Sequence, residues 1–177
     1  FLGEGGMMFR SLEKVPFVPW AFYVAAGDFN GDGRVDLAAG RGSLQVWLGQ
    51  GDGTFGTPFV TPGANLVPVA AADFNCDNKA DVLALDGMSG LTILLSAGDG
   101  TFRKSQTLGS GPVQAGAALI SDVNGDSFAD VIAGTPATFV VFLGKGDGSF
   151  SAAMTLNRPV ASFEESLPAA IDVDADG

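Results

Sequence analysis

The chain has 177 residues, of which 46% are apolar, with one Cys, no His and a formal charge of −11. This length accommodates one or two domains with a sizeable core, and the acidity argues against binding to nucleic acid or to an anionic membrane surface. The lack of His excludes a His-based catalytic triad, one Cys excludes an internal disulfide, and no apolar run reaches the roughly 18 residues of a membrane helix.

The acidic residues are 16 Asp and four Glu, and most of the Asp residues recur in a nine-residue pattern, which we call the Asp loop. The first copy is Asp28-Phe-Asn-Gly-Asp-Gly-Arg-Val-Asp36, and the first Asp residues of successive copies lie 45, 49 and 50 residues apart. A second marker, Gly-Asp-Gly-(Thr/Ser)-Phe, alternates with the first. Two markers in one order with a period of about 48 residues indicate an internal repeat. The Asp loops are loop 1 (28–36), loop 2 (73–81), loop 3 (122–130) and loop 4 (172–177), and the Gly-Asp-Gly turns are 51–55, 98–102 and 146–150.

Each repeat predicts four short strands in chain order. A small apolar segment such as 24–27 precedes the Asp loop, and a second strand such as 35–39 follows it. The third segment is a continuous apolar run, as at 91–95, which is typical of a strand buried on both faces. After the Gly-Asp-Gly turn, a more polar strand such as 104–108 ends the repeat. No segment shows helical periodicity, so we predict an all-β chain.

Four antiparallel strands in a repeat of this length are typical of a β-propeller blade. A β-solenoid is the alternative, although its rungs are usually shorter. We predict a β-propeller of four-stranded antiparallel blades, with about three whole blades and partial blades at both ends. We expect a fragment of a longer propeller, whose ring closes with the rest of its own chain or with other copies. The predicted divisions are a C-terminal part of a blade at 1–19, blades at 20–66, 67–113 and 114–165, and the start of a further blade at 166–177.

The Asp loops carry the oxygen ligands that a hard cation such as Ca²⁺ requires. In a tight hairpin loop, alternate side chains point to one side, which selects positions 1, 3, 5 and 9, and the carbonyl at position 7 can complete the set. The sequence therefore predicts about three Ca²⁺ sites and an incomplete fourth. The predicted ligands are Asp28, Asn30, Asp32, Asp36 and the Arg34 carbonyl in loop 1; Asp73, Asn75, Asp77, Asp81 and the Lys79 carbonyl in loop 2; Asp122, Asn124, Asp126, Asp130 and the Phe128 carbonyl in loop 3; and Asp172, Asp174 and Asp176 in loop 4.

Other interpretations of these loops are weaker. An EF-hand requires Glu at position 12, where this chain has Ala39, Ala84 and Ala133. Asp, Asn and Gly also form good turns without a metal, but three carboxylates crowded in each loop would then repel one another. Ser127 is less suited than Gly to the sharp turn at position 6, so we predict that affinity falls from loop 1 to loop 3.

The Asp-x-Asn-x-Asp-Gly-x-x-Asp loops, with Phe55-Gly56 after the Gly-Asp-Gly turn, resemble the FG-GAP/VCBS repeats of integrin α-subunit propellers and of many secreted microbial proteins. The resemblance covers nearly the whole chain. It implies a seven-bladed propeller with calcium in the hairpin between the first two strands of a blade. Cys76, Asn78 and Ser127 depart from the loop pattern of the family, as does Gly6-Met7 where Asp-Gly is expected.

The connections at the end opposite the Asp loops vary more in length, and variable loops on a rigid scaffold often carry binding. We therefore predict a calcium-stabilised, extracellular or cell-surface module that recognises a glycan or a protein. No catalytic residues are evident. The alternatives are an accessory or catalytic propeller domain of a secreted polysaccharide-acting lyase or hydrolase, and a structural spacer. Candidate ligand-binding residues are Trp20, Arg41, Asn65, Asp86 and Arg158.

Overall fold

Strands form where small, β-branched and large apolar residues run together, and Gly and Asp mark the turns between them. The computed structural model describes residues 2–3, 9–10, 23–40, 42–61, 65–87, 90–109, 118–134 and 138–157. Within these ranges there is no helix, and so none that is long and apolar enough to cross a membrane. The strands are β1 (Leu2–Gly3), β2 (Phe9–Arg10), β3 (Val24–Gly27), β4 (Asp36–Gly40), β5 (Leu44–Trp47), β6 (Phe59–Thr61), β7 (Leu66–Ala72), β8 (Asp81–Asp86), β9 (Leu91–Ser96), β10 (Phe102–Leu108), β11 (Ala118–Ser121), β12 (Asp130–Gly134), β13 (Thr138–Gly144) and β14 (Phe150–Asn157).

Three antiparallel four-stranded meanders account for twelve of these strands, and β1 pairs with β2. Blade 1 is β3-β4-β5-β6, blade 2 is β7-β8-β9-β10 and blade 3 is β11-β12-β13-β14. The predicted all-β propeller architecture of four-stranded antiparallel blades is confirmed. The first and second strands flank the Asp loop, and the third and fourth strands flank the Gly-Asp-Gly turn at the same end of each sheet. We call this the loop end of the blades.

The first strands of consecutive blades lie against one another, because β7 contacts both β3 and β11. Small side chains permit this approach. A Cβ atom added to Gly27 would lie 2.6 Å from the Cβ atom of Ala80 and 3.3 Å from that of Ala71. The Ala- and Gly-rich first strands therefore occupy the narrowest part of the arrangement, as blade geometry requires.

The hydrophobic core lies between blades, so that each blade supplies one side of a shared cluster. The third strand of blade 2 is buried along its whole length, since it faces a neighbour on both sides. The cluster between blades 1 and 2 contains Ala25, Phe29, Ala38, Leu44, Val46, Leu66, Val82, Ala84 and Leu94. The cluster between blades 2 and 3 contains Phe74, Leu83, Leu85, Leu91, Ile93, Leu95, Leu108, Val131, Ala133, Phe142 and Phe150.

Candidate metal-binding loops

The aspartate at position 1 organises each described Asp loop by accepting main-chain N–H groups. The Asp28 carboxylate accepts hydrogen bonds from the main-chain nitrogens of Gly31 at 2.7 Å, Asp32 at 3.1 Å and Gly33 at 2.7 Å. In loop 3, hydrogen bonds lower the pKa of the Asp122 carboxyl. The largest effect comes from the Ser127 N–H, and the Gly125 and Asp126 N–H groups add to it. The loop is therefore closed around an ionised carboxylate.

Two residues in each described loop adopt the left-handed backbone conformation, at positions 4 and 6. Loop 1 places glycines there, Gly31 and Gly33, with φ of 77° and 81°. The other loops adopt the same conformation with non-glycine residues, for which it is less favourable. These are Cys76 (φ 58°) and Asn78 (φ 62°) in loop 2, and Ser127 (φ 69°), beside Gly125, in loop 3.

The side chains at positions 3 and 5 are bonded to each other. The Asn30 side-chain amide donates to Asp32 Oδ2 at 3.1 Å, and Asn30 Oδ1 accepts the Asp32 N–H at the same distance. The corresponding amide-to-carboxylate distances are 3.2 Å in loop 2 and 2.9 Å in loop 3. Positions 1, 3 and 5 thus bring three oxygen-bearing side chains together in each loop.

The side chain at position 7 covers the Gly-Asp-Gly turn in all three described loops, and in loops 1 and 2 it also pairs with the aspartate at position 5. Lys79 Nζ lies 2.9 Å from Asp77 Oδ2, and Arg34 Nη1 lies 3.7 Å from Asp32 Oδ2, whereas loop 3 has Phe at this position. The rest of the side chain covers the first Gly of the Gly-Asp-Gly turn of the same blade, where a Cβ atom would be crowded. These pairs are Arg34 with Gly51, Lys79 with Gly98 and Phe128 with Gly146. The position-7 carbonyls remain predicted ligands.

Position 9 is the buried member of the loop, and its carboxylate faces the main chain. Asp36 Oδ2 accepts the Phe29 N–H at 2.8 Å, and Asp36 Oδ1 accepts the Gly49 N–H at 2.7 Å. Asp81 and Asp130 are held in the same way, and all three are fully buried. The position-9 aspartate therefore ties its own loop to the end of the third strand, a structural role that its spacing did not reveal.

Burial and charge both act on the position-9 carboxyls. Burial raises the pKa of Asp81 to about 6, although the N–H groups of Ser96 and Phe74 oppose the shift, and the charges on Asp77 and Asp73 raise it further. The pKa of Asp36 is raised by the same combination of burial and two neighbouring loop carboxylates. The aspartates of one loop are thus close enough to repel one another.

By its chemistry, the donor set of the loops fits a hard cation, since every predicted ligand atom is an oxygen. Within the described ranges, however, no three acidic or Cys side chains converge as a formed metal site. The described oxygen-rich loops lack a cluster of three converging acidic side chains because the carboxylate at position 9 is turned towards the main chain. The aspartates of loop 4, Asp172, Asp174 and Asp176, lie outside the described residues.

The aspartates of the Gly-Asp-Gly turns lock those turns. Asp99 Oδ1 accepts the Thr101 N–H at 2.9 Å and the Thr101 hydroxyl at 2.5 Å. Asp52 with Thr54, and Asp147 with Ser149, make the same pair of bonds. The bonds that they make are those of a turn, as their sequence context predicts.

Contacts between blades at the loop end were missed by sequence reasoning. The Ser96 hydroxyl of blade 2 donates to the Phe29 carbonyl of loop 1 at 2.5 Å, and the Ala80 N–H donates to the Asp28 carbonyl at 2.7 Å. One signal was present in the sequence: Ser96 stands where the other two blades have Gly49 and Gly144.

At the opposite end of blade 2, two candidate ligand-binding residues lie near each other. The main-chain carbonyl of Asn65 accepts the Gly87 N–H at 3.0 Å, immediately after Asp86. Asp86 Oδ2 is paired with Lys104 Nζ at 3.0 Å on the exposed surface. Trp20, Arg41 and Arg158 lie outside the described residues.

The sequence and the fold are both similar to known proteins. A family model described as the FG-GAP-like repeat matches residues 28–84, 77–133 and 122–177. An Agrocybe aegerita lectin, whose structure is described as showing specific recognition of non-reducing terminal N-acetylglucosamine, is 26% identical with a TM-score of 0.56. The match covers 76% of this chain and 37% of the lectin chain, so this chain spans well under half of the lectin's length.

A second structure, of the Photorhabdus luminescens Tc holotoxin pore, is 21% identical with a TM-score of 0.48. That match covers 77% of this chain and 7% of the toxin chain. No curated protein sequence matches the chain significantly.

Proposed function

This chain belongs to the FG-GAP-like repeat family, and from that membership we propose that it is a calcium-binding β-propeller module of a secreted or cell-surface protein. Calcium stabilises the hairpin loops at the loop end, and the opposite end recognises a glycan or an extracellular protein. The observation that carries the proposal is the same oxygen donor set in three consecutive loops, each closed by the hydrogen bond from the position-6 N–H to the position-1 carboxylate.

The mutual repulsion of the loop carboxylates supports a cation. The charges on Asp28 and Asp32 disfavour ionisation of the buried Asp36, and a divalent ion among them would reverse that effect. Positions 1, 3 and 5 would hold the ion from the open side of the loop. The position-9 aspartate can keep both N–H bonds and still contribute, because each carboxylate oxygen has more than one lone pair.

Recognition at the opposite end is supported by the similarity to a lectin that recognises terminal N-acetylglucosamine. The partly exposed Asp86 and the exposed Lys104 provide an acceptor and a donor of the kind that sugar hydroxyls require. We therefore propose a glycan, with an extracellular protein as the alternative ligand. An array of glycans with and without terminal N-acetylglucosamine tests this, with Asp86→Ala as the binding variant and Asp52→Ala as the charge-matched control.

Calcium titration tests the metal site directly. We expect binding in the 10⁻⁵–10⁻³ M range that includes extracellular modules, and a higher melting temperature in calcium than in chelator. The triple variant Asp32→Asn, Asp77→Asn, Asp126→Asn should lose binding. The triple variant Asp52→Asn, Asp99→Asn, Asp147→Asn removes the same charge from the turns and should retain it. Identical melting in calcium and in EDTA would overturn the proposal.

A further inference from the structure

Ser96 connects two Asp loops that belong to different blades. Its main-chain N–H donates to Asp81 Oδ1 of loop 2 at 2.8 Å, and its hydroxyl donates to the Phe29 carbonyl of loop 1 at 2.5 Å. The hydroxyl oxygen also accepts the Gly98 N–H at 3.0 Å, so the side chain is held from both sides. Ser96 is buried, and water does not compete for these bonds.

The equivalent residues of the other blades, Gly49 and Gly144, make only the first of these connections. Each donates its N–H to the position-9 aspartate of its own blade, at 2.7 and 2.8 Å. A Cβ atom at Gly49 would overlap the Val35 carbonyl oxygen, and one at Gly144 would overlap the Ala129 carbonyl oxygen. A serine is therefore not accommodated in those blades without movement.

Loop 2 contacts the following blade differently. Its Phe74 carbonyl, which corresponds to the Phe29 carbonyl, accepts the Gly148 N–H of a Gly-Asp-Gly turn at 2.9 Å. Over the part of the chain that the structure describes, no main-chain bond joins Asp73 to Ala129 in the way that Asp28 is joined to Ala80. Loops 1 and 2 are thus joined by a main-chain hydrogen bond that has no counterpart between the described residues of loops 2 and 3.

From these contacts we infer that Ser96 is a positioning residue that couples loop 1 to loop 2, so that ordering of loop 1 holds Asp81 in place and favours cation binding in loop 2. The inference about binding rests on the proposed function, whereas the coupling between the loops does not need a metal. Within the described ranges Ser96 makes no hydrogen bond to loop 3, so we expect the coupling to be confined to loops 1 and 2.

Hydrogen exchange in chelator tests the coupling without calcium. Asp28→Ala removes the carboxylate that closes loop 1, and the probe in loop 2 is the Phe74 N–H, which donates to Asp81. We expect Asp28→Ala to lower the protection of this amide about fivefold in the parent chain and about twofold when Ser96→Gly is also present. The twofold effect that persists without Ser96 would be transmitted by the hydrogen bond between the Ala80 N–H and the Asp28 carbonyl. Asp122→Ala is the matched control in loop 3 and should leave the Phe74 amide unchanged.

The same variants then test binding. In calcium titrations followed by NMR, Asp28→Ala should weaken loop 2 about fivefold in the parent chain and about twofold in the Ser96→Gly background. Ser96→Ala separates loss of the hydroxyl from the added backbone freedom of glycine and should behave as Ser96→Gly. Equal effects of Asp28→Ala in the two backgrounds would overturn the inference. If no loop binds calcium, the proposed function fails, and the exchange measurement still decides the role of Ser96.

Discussion

Phe29 of loop 1 packs edge to face against Phe102 of blade 2, with ring centroids 5.4 Å apart and ring planes at 75°. Phe74 of loop 2 and Phe150 of blade 3 repeat this arrangement at 5.5 Å and 72°. The residue at position 2 of an Asp loop thus anchors the loop in the neighbouring blade.

Truncation of the anchor should be costly where it is buried. Phe29→Ala is expected to lower the free energy of unfolding by about 3–5 kcal/mol, because it leaves a cavity between blades 1 and 2. Val60→Ala, at a position of β6 that is 53% exposed, is the control and should cost less than about 1 kcal/mol. Urea denaturation measures both, and Phe29→Leu gives a graded value if the alanine variant does not fold. Equal costs at the two positions would contradict an anchoring role.

The position-9 aspartates should matter even without a metal. Asp36→Ala leaves the buried N–H groups of Phe29 and Gly49 without their acceptors, which should cost about 2–6 kcal/mol, the sum of about 1–3 kcal/mol for each group. Asp32→Ala, in the exposed part of the same loop, removes the same charge. In chelator, thermal and urea unfolding should show a much smaller loss for Asp32→Ala. A similar loss for both variants in chelator would contradict a stabilising role of Asp36 that does not need a metal.

Lys79 should compete with a cation for Asp77. Burial opposes ionisation of Asp77, but hydrogen bonds from the Lys79 side chain and main chain and from Asn75, together with the ammonium charge, lower its pKa. Lys79→Met should therefore raise calcium affinity in loop 2 several-fold and raise the pKa of Asp77. Lys104→Met, which removes the same charge from the pair with Asp86, is the control. NMR titration resolves the individual loops, and an unchanged loop 2 would refute the competition.

Loop 3 contains a backbone position that glycine should improve. Ser127 has a φ of 69°, which costs an L-residue about 1–2 kcal/mol, so Ser127→Gly should stabilise the protein by up to about 1 kcal/mol after the entropy cost of glycine. Gly125→Ala is the converse change, at a φ of 77° with open space around the added Cβ atom. It should destabilise by about 1 kcal/mol through the backbone conformation. Chemical denaturation of the two variants measures both signs.

The Gly-Asp-Gly turn of blade 2 should show a defined pH dependence. The Thr101 hydroxyl first, and then its N–H, lower the pKa of Asp99 below its ordinary value of 3.8. The ionised carboxylate therefore stabilises the folded state above that value, and the contribution is lost as the pH falls through the lowered pKa. Thr101→Val should raise the pKa of Asp99 towards 3.8.

The stability difference between Thr101→Val and the parent chain should be present at about pH 7 and shrink at about pH 3. Carboxyl chemical shifts follow the Asp99 titration, and urea denaturation at the two pH values follows stability. Thr107→Val is the control, because the Thr107 hydroxyl faces Thr92 at 3.4 Å and no carboxylate. A difference that persists unchanged at the lower pH would count against the assignment.

The strands and the Asp loops were predictable from the sequence because their signals are local. A small apolar strand, an Asp-rich turn with Gly33 at the left-handed position, and a buried third strand each depend on neighbouring residues. The internal repeat then predicted the four-stranded sheets, since equivalent segments of successive repeats form equivalent strands.

The direction of a side chain was less predictable, because it depends on distant parts of the chain. Asp36 has the spacing of a ligand, yet its carboxylate bonds to Gly49, which the third strand brings to the loop. The contact of Ser96 with Phe29 spans 67 residues and required the packing of two blades. The burial of Phe29 and Phe74 did have a signal in the sequence, because an apolar residue occupies position 2 in every Asp loop.

The second glycine of the Gly-Asp-Gly turns in blades 2 and 3 limits how the blades can be exchanged in protein engineering. A Cβ atom on Gly100 would lie 2.6 Å from the Phe59 ring of blade 1, and one on Gly148 would lie 2.6 Å from Leu95 of blade 2. The turns of blades 2 and 3 are thus each fitted to a different residue of the preceding blade. Deleting, duplicating or reordering blades would place a turn beside the wrong neighbour, so a shuffled or consensus version of this chain must carry each turn together with the residue that covers it.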